Sequence, residues 1–119
     1  MGGSSDVTFD ELSALADQVL SQGLCSRPDA IATLSTKRGD PIWTELAAHY
    51  ACALCFFDAE RLEEETPRLK NPSEAVFCSV GCHGVAESAA LAATGANGFL
   101  MVEKTASGRA TAALAVARS

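Results

Sequence analysis

The chain has 119 residues, 48% of them apolar and 20% charged, with 9 Lys and Arg against 15 Asp and Glu for a net charge of −6. A chain of this size and balance buries a core without staples, which excludes disorder as its main state and fits one domain over residues 1–119. The acidic balance supplies no basic face for a phosphate backbone, so nucleic acid is not an expected partner.

The chain opens on Met1-Gly2-Gly3-Ser4-Ser5, with neither the basic start nor the apolar run of a signal peptide. A cytoplasmic location is the corresponding expectation. Thr8-Phe9-Asp10-Glu11 reads as a capping box, Thr8 at the N-cap and Glu11 closing it. Phe9, Leu12, Leu15, Ala16, Val19 and Leu20 then recur at helical spacing, and Gly23 suits the stop. Ile31 to Thr36 is short, β-leaning and bounded by Pro28-Asp29 and Lys37-Arg38-Gly39, as a strand would be. Asp40-Pro41 starts a second helix, because Asp caps and Pro is pre-set for the first turn. Ile42, Trp43, Leu46, Ala47 and Tyr50 give that helix its apolar face.

Cys52 to Phe57 is an apolar run of strand length. The uncharged stretch Leu46 to Phe57 has twelve residues, well short of the about twenty that a bilayer span requires, and reads as core. Asp58 caps a third helix through about Glu65. Asn71-Pro72-Ser73-Glu74 is another capped start, and Val85 to Thr94 a small-residue helix closed by Gly95. Phe99 to Lys104 and Arg109 to Val116 form a hairpin with Ala106-Ser107-Gly108 at the turn. Strands separated by helices predict a three-layer α/β/α domain with a small mixed sheet.

Four groups of residues invite a chemical reading. Five cysteines, with His49 and His83, are enough soft ligands for zinc. However, Cys52-Ala53-Leu54-Cys55 lies in an apolar run whose strand geometry points positions 52 and 55 to opposite faces, so free buried thiols are expected and no metal. The acidic stretch Asp58 to Glu65 reads as a solvated helix face. Gly81-Cys82-His83-Gly84 joins two helices through a turn in which backbone can approach a ligand, and the next helix presents free N–H groups there. A plain interhelical turn is the competing reading. Finally, Lys37, Arg38, Lys104 and Arg109 fall near strand ends, where open α/β sheets collect ligands; solvated loop residues are the alternative.

The order Ser35-Thr36-Lys37, Phe56-Phe57-Asp58-Ala59-Glu60-Arg61-Leu62 and Asn71-Pro72-Ser73-Glu74-Ala75-Val76 carries a family likeness. So do Gly81 to Leu91 and Val102-Glu103-Lys104-Thr105-Ala106-Ser107-Gly108. Together these segments resemble the cobalamin-biosynthesis family that includes CobE and the C-terminal domain of CbiG, over roughly residues 8 to 117. The resemblance implies an α/β fold and a place in corrin-ring construction. Full-length CbiG proteins open the lactone of cobalt-precorrin-5A with release of acetaldehyde, whereas the stand-alone form is expected to bind or deliver a corrinoid intermediate such as hydrogenobyrinic acid. On that likeness Lys37, Gly81, Cys82, His83, Gly84, Lys104 and Ser107 are the expected ligand-binding residues, and no cofactor is expected. For a lactone hydrolase, His83 would be the base and Glu87 its orienting group or a base itself. A third reading is an interaction subunit for other enzymes of the pathway.

The likeness also exposes a departure. Family members begin with a strand and a glycine-rich turn where this chain has only Met1 to Ser5, so the first strand is expected to be missing. An edge left open there would be a natural surface for a partner or a homodimer. Arg38-Gly39-Asp40-Pro41 also replaces a more acidic turn.

Overall fold

The computed structural model describes residues 1–117. In chain order the strands are β1 (Gly2–Gly3), β2 (Ala30–Leu34), β3 (Ala53–Phe57), β4 (Gly98–Ala106) and β5 (Ala110–Ala117). The helices are α1 (Phe9–Gln22), α2 (Pro41–Tyr50), α3 (Ala59–Glu63), α4 (Glu74–Val80) and α5 (Ala86–Thr94). β2 and β3 pair in parallel; β5 pairs antiparallel with β4 on one side and β1 on the other. The two ladders meet at Met1, whose α-amino group donates to the Ala32 carbonyl at 2.6 Å. The strands thus form two sheets, an antiparallel β4-β5-β1 and a parallel β2-β3, joined through this one bond at the β1 stub.

That stub corrects the expectation that the first strand is missing. Gly2 stands opposite Thr111 and Gly3 opposite Ala110, and Ser4 N–H continues the ladder to the Arg109 carbonyl at 2.9 Å. A Cβ on Gly2 would lie 3.0 Å from Thr111 Oγ1 and 3.3 Å from Val85, so glycine is what lets the stub sit this close to β5 and α5.

Helices cover both faces. On one, Leu12, Leu15, Val19 and Leu20 of α1 and Trp43, Leu46 and Tyr50 of α2 pack on Ile31, Val102, Ala110 and Ala112. On the other, Leu62 of α3, Cys82 and Ala89 of α5 pack on Ala32 and Leu34. Cys52 joins the first cluster and Cys55 the second, which is the opposite-face placement that strand alternation requires.

Three local expectations shift. Thr8 caps α1 by accepting from Glu11 N–H, but the Glu11 side chain does not close a box. It reaches across to the β4–β5 turn, accepting from the Ser107 hydroxyl and, at 2.6 Å, from Arg109 N–H. β2 ends at Leu34, because Ser35–Lys37 winds into a 3₁₀ turn closed by Arg38 N–H to the Ser35 carbonyl. α3 stops at Glu63, and a second 3₁₀ turn, Thr66–Arg68, follows where a longer helix is expected.

The acidic stretch is not simply a solvated face. Glu65 is 7% exposed and held by Arg61 at 2.8 Å and Arg68 at 2.5 Å. Burial pushes the Glu65 carboxyl up, but the hydrogen bonds and charges of the two arginines outweigh it and leave the group below its ordinary value. Glu63 is turned inward toward His83.

Candidate functional site

Beside β1 lies a cleft of about 310 Å³. Its floor is Gly2, Gly3 and Ser4; one wall is Gly84 and Val85 at the start of α5, and the other is the β4–β5 turn with Lys104, Ser107 and Arg109. No side chain caps α5 at Val85. The first N–H groups of that helix, the positive end of its dipole, are thus left beside the cleft. Lys104 and Arg109 add two cations to its rim, and Asp6 draws on Arg109 only at 3.7 Å on the exposed side. Glycine floor, helix start and paired cations form an arrangement suited to carboxylates.

Glu87, in the first turn of α5, builds this cleft from behind. Its carboxylate is 2% exposed and accepts four hydrogen bonds: Lys70 N–H at 3.0 Å, Asn71 N–H at 2.9 Å, Asn71 Nδ2 at 2.8 Å and Lys104 N–H at 2.9 Å. Burial pushes its pKa up, but these four donors outweigh that, and the group stays below the ordinary carboxylate value. One carboxylate thus ties α5 to the 70–71 segment and to β4, and sets Lys104 at the cleft. Glu11 does the same for the far side by holding Ser107 and Arg109.

The Gly81-to-Gly84 turn divides its residues between two surroundings. Gly81 ends α4 with φ of +88°, and Cys82 is fully buried in the second core cluster, where burial pushes its thiol pKa up. His83 sits outside the cleft lining. Its ring stacks on Phe77 with centroids 4.4 Å apart, Nδ1 lies 2.8 Å from Glu63 Oε2, and Nε2 lies 3.3 Å from Glu74 Oε1. The Glu63 hydrogen bond, ahead of the opposing loss of hydration, raises the His83 pKa. Only Gly84 of the four reaches the cleft.

Of the expected ligand-binding residues, the structure therefore brings together Gly84, Lys104 and Ser107. Gly81, Cys82 and His83 lie behind that wall, and Lys37 occupies the 3₁₀ turn after β2, away from the cleft lining. Sequence reasoning left out Gly2, Gly3 and Ser4, although adjacent glycines ahead of a helix are a signal of close backbone approach. It also left out Glu63 as the partner of His83, for which a separation of 20 residues offers no local signal.

Fold and cleft together define a small three-layer mixed α/β protein with a cation-rimmed, glycine-floored pocket beside its central strand. The comparisons with known proteins place it more closely. The family model for the cobalamin synthesis G C-terminus matches residues 1–115. Protein CobE of Sinorhizobium sp is 44% identical over 108 residues, covering 89% of this chain and 70% of CobE. The crystal structure of CobE, a protein from the cobalamin (vitamin B12) biosynthetic pathway, superposes with a TM-score of 0.84 at 30% identity, covering 96% of this chain and 88% of that one. That of the cobalamin biosynthesis protein chiG from Agrobacterium tumefaciens str. C58 gives 0.75 at 25% identity, covering 99% and 95%. The chain belongs to the CbiG C-terminal family and is a cobalamin-biosynthesis protein. Among the described residues no helix is long and apolar enough to cross a membrane.

Proposed function

We propose that the protein binds a corrinoid intermediate, such as hydrogenobyrinic acid, by gripping carboxylates of the macrocycle's rim in the cleft between Gly84, Lys104 and Arg109. The observation that carries this reading is the convergence of two cations and an uncapped helix start on one glycine floor, in a protein whose net charge is −6. A corrinoid acid bears acetate and propionate arms, which match such a receptor chemically. The macrocycle itself is larger than the cleft would enclose, so the arms anchor it and the ring lies across the opening.

The state of His83 favours binding over hydrolysis. A general base needs a free ring nitrogen, and both nitrogens of His83 face carboxylates. Glu87, the other candidate, has four donors on its two oxygens and almost no exposure.

The test is titration of purified wild type, Lys104→Ala and His83→Ala with hydrogenobyrinic acid, followed by absorbance. Removing one charge-assisted contact should weaken binding about tenfold in Lys104→Ala, with His83→Ala close to wild type. Weakening in His83→Ala alone would move the site to the Gly81-to-Gly84 turn. Acetaldehyde released from a lactone intermediate would replace the binding role with a hydrolytic one, and capture of pathway enzymes without any intermediate would favour an interaction subunit.

A further inference from the structure

Among the described residues, α4 is the one α-helix with none of its residues buried. After Glu74 it carries no charge. A surface helix ordinarily turns an apolar stripe to the core. Here the stripe is Val76, Val80 and Phe77, which steps of roughly 100° per residue bring within about a third of the helix circumference. It stays open: Phe77 is 40% exposed, Val80 36%, and Val76 half-buried.

The helix is nevertheless fixed in place. Ser73 N–H donates to the His83 carbonyl at 2.7 Å, and the Phe77 ring stacks on that of His83. With the Phe77 flank fastened this way, Val76 lines the cleft beside Gly84 and Val85. The cleft therefore has two unlike sides. Lys104 and Arg109 stand on one, Val85 and Val76 on the other, and Val80 continues the apolar side one turn beyond the rim. Glu74 lies off this stripe, with its carboxylate toward His83 Nε2.

We propose that Val76 and Val80 of α4 are the seat for the ring face of the corrinoid whose carboxylate arms enter the cleft. The inference rests on the corrinoid-binding reading above and adds where the ring goes. A corrinoid acid is apolar across its faces and anionic around its rim. Its receptor needs an apolar surface beside the carboxylate site and continuous with it, which is the place α4 holds. A second protein chain is a poorer fit, since three side chains on two helical turns fall far short of the about 800 Å² per partner that a stable interface buries.

The experiment titrates wild type, the double variant Val76→Ser/Val80→Ser and Cys78→Ser with hydrogenobyrinic acid by absorbance. Each chain is also titrated with tricarballylate, a polycarboxylate without a ring, by the backbone amide shifts of Gly84 and Lys104. Cys78 lies on the opposite side of α4 and is exposed, so its variant reports on the helix rather than the seat. The double variant should bind hydrogenobyrinic acid about tenfold more weakly, with tricarballylate unchanged and Cys78→Ser like wild type. Unchanged affinity of the double variant for hydrogenobyrinic acid overturns the seat and leaves the carboxylate cleft standing. Equal weakening toward both ligands also overturns it, because α4 would then shape the cleft without meeting the ring. So does an equal loss in Cys78→Ser, which would trace the effect to the helix itself. Wild type that fails to bind hydrogenobyrinic acid removes the corrinoid reading and the seat together.

Discussion

Glu87 and His83 sit four residues apart and are both partnered, yet one is sealed and the other only partly buried. Glu87 satisfies two segments and a strand at once, and an amide in its place turns an NH₂ toward N–H donors. Glu87→Gln should cost about 3 kcal/mol in urea denaturation; a loss below about 1 kcal/mol would mean that the four bonds contribute little. His83 gives a pH signature instead. Its folded pKa is raised by Glu63, so its contribution is fully present below the unfolded value of about 6.5 and is lost as pH rises through the folded value. The melting temperature of wild type should exceed that of His83→Gln by more at pH 6 than at pH 9. Equal margins at the two values would show that the imidazolium pairing does not hold the turn.

At the scale of elements, most local signals could be read from the sequence and long-range ties could not, although Asp58, expected to cap α3, stands at the N-cap without a side-chain bond. Thr8, Asp40 and Ser73 cap their helices with the bonds their side chains predict, and Gly95 ends α5, because each depends on residues within one turn. Glu11 fits a capping-box pattern equally well, but its carboxylate is drawn to Ser107 and Arg109, almost a hundred positions away, and no pattern within one turn reveals that. The end of α3 follows the same rule. Three consecutive glutamates at a helix C-terminus oppose the dipole, and the chain resolves the conflict by ending the helix at Glu63 and burying Glu65 between two arginines. Arg68 also donates to the Gly98 carbonyl at 2.9 Å and the Gly95 carbonyl at 3.2 Å, so it fastens the 3₁₀ turn to the α5–β4 junction. Arg68→Ala should lower stability by about 2 kcal/mol, measured by thermal or urea denaturation. A neutral result would assign the junction to backbone bonds alone.

Across the whole molecule, alternating strand and helix signals foretell a sheet covered on both faces, and the two core clusters bear that out. Which residues meet at the sheet's centre was less legible, since a two-residue strand has no periodicity to read and its place depends on Met1 reaching β2 and Gly2 reaching β5. The candidate site inherits that limit. Lys104, Ser107 and Gly84 were accessible from the sequence as turn residues and family likenesses, while the glycine floor that joins them appears only once β1 is seated. The turn from Gly81 to Gly84 looked like one site and is divided, because αL geometry at Gly81 sends Cys82 into the core while Glu63 and Phe77 hold His83 behind the cleft wall. Recognition of corrinoid carboxylates by the cleft, as proposed above, is put to the test by titrating the wild-type protein with hydrogenobyrinic acid and, in parallel, with its fully esterified form, which keeps the ring and removes the charges. Saturable binding of the acid and at least about tenfold weaker binding of the ester are expected. Equal affinity for both would contradict the proposal, since recognition would then rest on the apolar ring and leave Lys104, Arg109 and the start of α5 without a role.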